Sequence, residues 1–171
     1  MCKKESKLKY YRSIKGICSR SFNHCKDRVK KHKLNFDLDL AKDESDQNPV
    51  FYIQYAYARA VNILKKANDD GLTLDQNMDY TLLKAKQEVN LTKALLTFPD
   101  LIGKASESME PQLIANYLMD IASSFHHYYA VHKVITDKKE LSIARLNLIN
   151  AVKQVLYNGL SILNISTPEK M

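Results

Sequence analysis

The chain has no tryptophan and only four glycines (Gly16, Gly71, Gly103, Gly159) and four prolines (Pro49, Pro99, Pro111, Pro168), and its three cysteines all stand within the first 25 residues. Each shortage removes a class of reading. Glycines scattered singly build no phosphate-cradling loop, which needs several together so that backbone N–H groups converge on an anion. Few glycines and prolines also leave few tight turns, which argues for long helices with short connections rather than strands and hairpins. With no cysteine after Cys25, residues 34 to 171 offer neither a disulfide framework nor a thiol nucleophile beside a base. Cys2, Cys18, Cys25, His24 and His32 lack the closely paired spacing of structural zinc sites, so no metal centre is expected. No apolar run approaches the ~20 residues of a membrane span, and no signal peptide opens the chain. A cytoplasmic protein without a membrane partner is expected.

What is present is 171 residues, 45% of them hydrophobic, enough for one domain with a real core and pointing to an all-α fold. The formal charge of +7 suggests nucleic acid, but its distribution changes the argument. Residues 1 to 33 hold twelve Lys or Arg against two acids, a net +10; residues 34 to 171 hold fourteen against seventeen, a net −3. The first segment reads as a basic, loosely ordered arm and the second as the folded domain. A slightly acidic domain that binds RNA must lean on base stacking and shape rather than on phosphate neutralisation.

Helical periodicity predicts four long helices, near residues 48 to 68, 80 to 98, 110 to 134 and 138 to 163, with a short helix over 100 to 108. Ile114, Tyr117, Leu118, Ile121, Phe125, Tyr128 and His132 form the clearest stripe. In the last helix Leu141, Leu148, Ile149, Val152, Leu156 and Leu163 supply the buried face. Asp137 is its expected N-cap, with Glu140 as reciprocal partner. Asn164 is expected in the left-handed position after the helix, folding Ile165 back onto Leu160. His126 and His127 are adjacent and His132 is off helical register with both, so they read as surface and rim residues rather than metal ligands. Paired acids Asp37 and Asp39 read as a solvated face around Leu38.

The first long helix carries the most informative stretch. Asn48 is a good N-cap and Pro49 suits the first helical position, where a missing N–H costs nothing. Ile53, Ala56, Ala60, Ile63, Leu64 and Ala67 make one apolar stripe, while Tyr52, Tyr55 and Arg59 cluster beside it. Spacing leaves two readings of these tyrosines: rings at the core's edge with wet hydroxyls, or stacking platforms. The string itself goes further. Asn48-Pro49-Val50, Tyr52, Gln54-Tyr55-Ala56 and Ala58-Arg59 closely resemble the signature of the C-terminal anticodon-binding (DALR-type) domain of arginyl-tRNA synthetases, a class I family. Leu34-Asn35-Phe36-Asp37-Leu38-Asp39-Leu40-Ala41-Lys42, Val155-Leu156-Tyr157-Asn158-Gly159-Leu160 and the terminal Pro168-Glu169-Lys170-Met171 fit the same family, in the same order.

The resemblance covers residues 34 to 171. It implies a helical bundle of the class I anticodon-binding type, with arginine tRNA as partner and Tyr52, Gln54, Tyr55, Ala56, Arg59 and Met171 as the binding residues. Residues 1 to 33 do not match, and are expected to be a divergent or out-of-frame start on a truncated gene. The family usually carries His where Tyr57 stands. Its full-length members use ATP, through His-x-Gly-His and Lys-Met-Ser-Lys motifs that these 171 residues lack, so no cofactor and no catalytic residue are expected in the chain itself. A monomer is expected, with a separately encoded catalytic domain as a further partner. The competing class is a non-catalytic helical protein-interaction module, or a relic of a truncated synthetase gene, since aromatics and arginine also anchor protein interfaces.

Overall fold

The computed structural model describes residues 48–75 and 78–171. The expectations for residues 1 to 33, for the 34 to 42 stretch and for Asp37 and Asp39 lie outside the described residues. Among the described residues the fold is all α, with five helices and no strand: α1 Pro49–Asp69, α2 Lys86–Leu96, α3 Phe98–Ser108, α4 Gln112–Val131 and α5 Lys139–Ile162, with a 3-10 turn at Tyr80–Leu82. None of the described helices is long and apolar enough to cross a membrane.

Helix α1 starts where its caps dictate: Asn48 Oδ1 accepts from the Val50 N–H at 3.1 Å, and Pro49 follows. It stops at Gly71, whose φ of 76° lets the Leu72 N–H return to the Ala67 carbonyl at 2.9 Å. Asn164 ends α5 in the same way, with φ of 56° and the Ile165 N–H on the Leu160 carbonyl at 2.8 Å, as its position predicts. Met109 ends α3 likewise, also at φ 56°, although its side chain gives no sign of it.

Two helix starts differ from expectation. The 80 to 98 run is interrupted: Asp79 caps the 3-10 turn by accepting from the Thr81 N–H at 2.9 Å, and α2 begins only at Lys86. Its start is held by Glu88, whose Oε2 accepts from the Ala85 N–H at 3.0 Å. Of the apolar residues in this run only Leu91 is buried, and Leu96 is largely exposed. At the start of α5, Asp137 does not cap; the residue before the helix is Lys138, and the buried hydroxyl of Ser142 accepts from the Thr136 N–H at 2.8 Å. That hydroxyl ties the incoming chain to the first turn without capping the helix's own free N–H groups.

Helices α4 and α5 pack on each other at the centre. Helix α1 packs on both, α2 also packs on both, and α3 lies against α4 and α2. The core joins Ile53, Ala56, Ala60 and Ala67 of α1 to Leu118, Ile121, Phe125 and Tyr128 of α4 and to Leu146, Ile149, Val152, Leu156 and Leu160 of α5. The small residues of α1 let its backbone approach the pair closely. Gly159 does the same for α5, since a Cβ there would stand 2.6 Å from a Leu118 methyl. One ion pair crosses the interior: Arg145 Nε donates to Glu88 Oε1 at 2.8 Å, with Glu88 1% exposed and Arg145 also donating to the Lys133 carbonyl.

Candidate nucleic-acid interface

Helix α1 has three faces rather than two. One is the apolar stripe in the core. A second is buried by residues 165 to 171, which return along it: Gln54 Nε2 donates to the Ser166 carbonyl at 2.7 Å and to its hydroxyl at 3.2 Å, and Lys65 pairs with Glu169 at 2.6 Å. Tyr57 belongs to this face, its hydroxyl meeting Thr167; burial, and then the Glu169 charge, push its phenol above the ordinary value. Both ends of the Lys65–Glu169 pair are exposed, and Lys65 holds the Glu169 carboxyl below the usual range.

The third face holds Tyr52, Tyr55 and Arg59, half-buried and brought together as their spacing predicts. Two side chains of α4, His126 and Tyr129, complete it. The His126 ring stacks on Tyr55 with centroids 5.5 Å apart and meets Tyr52 edge-on at 4.9 Å. The Arg59 guanidinium lies over the Tyr55 ring at 4.7 Å and over the Tyr129 ring at 5.2 Å. Its Nη2 donates to the Tyr55 hydroxyl at 2.6 Å and its Nη1 to His126 Nδ1 at 3.3 Å. Tyr129 is 38% exposed and is the outermost ring of the group. The sequence reading missed it and left His126 as a rim residue. The signal was the i, i+3 spacing of His126 and Tyr129, which puts both on one side of α4 next to the Phe125 that enters the core.

The other expected site residues lie elsewhere. Ala56 is fully buried in the core and offers no surface to an RNA. Gln54 is 7% exposed and spends its amide on the tail. The tail does meet α1, as expected, but on the side of Gln54, Tyr57 and Lys65, roughly 150° round the helix from Tyr52, Tyr55 and Arg59 at 100° per residue. From Ser166 beside Gln54 to Glu169 beside Lys65 it runs towards the helix's C-terminal end. Among the described residues no hydrogen bond, ion pair or ring contact joins Met171 to the aromatic group. No cluster of three or more His, Cys, Asp or Glu that could hold a metal occurs there either.

Comparison with known proteins decides the family. The profile described as the DALR anticodon binding domain matches residues 53–171, well over half of the chain. The chain belongs to the DALR anticodon-binding domain family. Among curated relatives, it is 44% identical over 138 residues to an arginine–tRNA ligase of Salinibacter ruber and 46% identical over 140 residues to one of Desulforamulus reducens. Each match takes in 81% of this chain and 25% of the relative, so this DALR chain spans about a quarter of their length. Among solved structures, Thermus thermophilus arginyl-tRNA synthetase superimposes with a TM-score of 0.71 at 25% identity, over 96% of this chain and 32% of that one. The helical bundle of the DALR domain is thus shared as a fold, not only as a string of residues.

Proposed function

We propose that this DALR domain binds the anticodon loop of arginine tRNA on the face built by Tyr52, Tyr55, Arg59, His126 and Tyr129, in support of arginyl-tRNA aminoacylation. The observation that carries the reading is the half-exposed cluster itself: four rings and one guanidinium from two helices, pre-packed and open to solvent on one side. Unstacked loop bases are recognised by aromatic and guanidinium planes with hydrogen bonds to their edges. All arginine codons have G in the middle, so their anticodons share a central C, and a domain that serves every arginine tRNA must place its specificity there. A cytosine edge presents two acceptors, O2 and N3, to a guanidinium that only donates. Gln54 and Tyr57 serve the same face indirectly, by pinning the tail and thereby α1. A separately encoded catalytic domain, acting in the cytoplasm with a monomer of this chain, completes the proposal; ATP belongs to that part and not to these residues.

The test is a titration of arginine tRNA into the 171-residue chain at two salt concentrations. Stacking contributes roughly 1 to 3 kcal/mol per base, so Tyr55→Ala or Tyr129→Ala is expected to weaken binding about fivefold to a hundredfold with the melting temperature held. A central C→G change in the anticodon is expected to do the same. Parent-like affinity in both variants and with the altered anticodon would turn the face into a protein-interaction surface instead.

A further inference from the structure

We propose that His126 is the positioning residue for Arg59: a neutral hydrogen-bond acceptor on α4 that locks the α1 guanidinium in the orientation an RNA base meets. The inference rests on the reading of this face given above. A lone arginine side chain samples many rotamers, and every one it loses on binding subtracts from affinity unless it was lost beforehand. Arg59 is held beforehand. The guanidinium lies over the Tyr55 and Tyr129 rings at 4.7 and 5.2 Å, but contact with ring faces alone leaves it free to slide and turn in its plane. Two directional contacts remove that freedom. The bond to the Tyr55 hydroxyl, at 2.6 Å, comes from the same helix four residues away; the bond to His126 Nδ1, at 3.3 Å, ties the guanidinium to the second helix.

A guanidinium has no lone pair to offer, so Nδ1 must be the acceptor. In this arrangement the ring therefore carries its hydrogen on Nε2 and is neutral; an imidazolium would aim a proton and a like charge at Nη1. The same ring stacks on Tyr55 and meets the edge of Tyr52, so one imidazole fixes the pose of all three α1 side chains. RNA need not touch it. On this face the ring meets the charged Arg59 and the titratable Tyr52 and Tyr55, all from α1.

The experiment uses the 171-residue chain and a hairpin RNA carrying an arginine anticodon loop, at one salt concentration. His126→Phe keeps a ring for stacking and removes the acceptor, whereas His126→Asn places Oδ1 close to where Nδ1 stands. Binding is expected to weaken about tenfold in His126→Phe and to stay within about threefold of the parent in His126→Asn, the size of one hydrogen bond to a charged partner. In an Arg59→Gln background His126→Phe is expected to add less than about twofold, because the group it positions is gone. In the parent, the ring 15N spectrum, assigned by its loss in His126→Asn, is expected to show Nδ1 unprotonated and Nε2 carrying the hydrogen at neutral pH. A parent-like His126→Phe, an undiminished loss in the Arg59→Gln background, or a protonated Nδ1 would each overturn the proposal; the spectrum of the parent decides it where His126→Phe fails to fold. If Arg59→Gln itself binds like the parent, the face is misassigned and the proposal falls with it. If Arg59→Gln loses affinity and His126→Phe does not, only the positioning role falls.

Discussion

Tyr128 is fully enclosed in the core, and its hydroxyl has no hydrogen-bond partner among the described residues. Burial pushes its phenol well above the ordinary value, only partly opposed by the Arg145 cation. A buried hydroxyl without a partner forfeits its hydration for nothing, so Tyr128→Phe is expected to leave the chain as stable as the parent or up to about 1 kcal/mol more so, read from the urea midpoint. The sign of the pH effect follows. An unfolded tyrosine releases its proton near pH 10 while folded Tyr128 keeps it, so stability is intact below about pH 10 and falls as pH rises beyond it, and the fall should be shallower in Tyr128→Phe. Glu88 and Arg145 make the opposite case. Each is a poor core residue alone, and together they close a chain from the Ala85 amide to the Lys133 carbonyl. Glu88→Gln leaves a nearly buried guanidinium without its counter-charge and is expected to cost about 3 kcal/mol or more by chemical denaturation. Nothing in the spacing of Glu88 and Arg145, 57 positions apart, announces the pair. Burial of a charge is legible only when its partner is known.

Among the elements, existence was legible and edges were not. The stripes of α1, α4 and α5 predicted those helices within a few residues, because an apolar face of more than five turns has no other way to leave water. The 80 to 98 run failed where local chemistry overruled periodicity: Asp79 and Glu88 each offered a carboxylate to a nearby N–H, and the chain broke into a turn and a shorter helix. The two helical glycines separate propensity from packing. Gly103 has open space around its Cβ position, so Gly103→Ala is expected to stabilise by roughly 0.5 to 1 kcal/mol through the unfolded chain's lost freedom. Gly159 stands against Leu118 in the core, and Gly159→Val is expected to destabilise by about 1 to 3 kcal/mol. Thermal melts of the two variants should move in opposite directions.

For the whole molecule, the charge is the first thing to carry into experiment. Residues 48 to 171 hold thirteen Lys or Arg against twelve acids, and the aromatic face contributes one cation, Arg59. That face is therefore expected to contribute a salt slope no steeper than the roughly −0.7 of one phosphate neutralised on a single strand, and any steeper dependence of the 171-residue chain to come from the twelve Lys and Arg of residues 1 to 33. The 171 residues hold neither adenylation motif, so no arginine-dependent pyrophosphate exchange above background is expected from the chain by itself. The sequence alone determined the fold class, the family and the grouping of Tyr52, Tyr55 and Arg59, because helical periodicity and a helix signature are local properties that survive without knowing what packs where. Which way the rest of α1 faces was decided by tertiary structure. The returning tail claims Gln54 and Tyr57, α5 and α4 claim Ala56, and α4 supplies His126 and Tyr129; the physical reason is that a helix has a periodicity but no inherent partner, and the assignment of its faces depends on contacts between residues 67 to 112 positions apart.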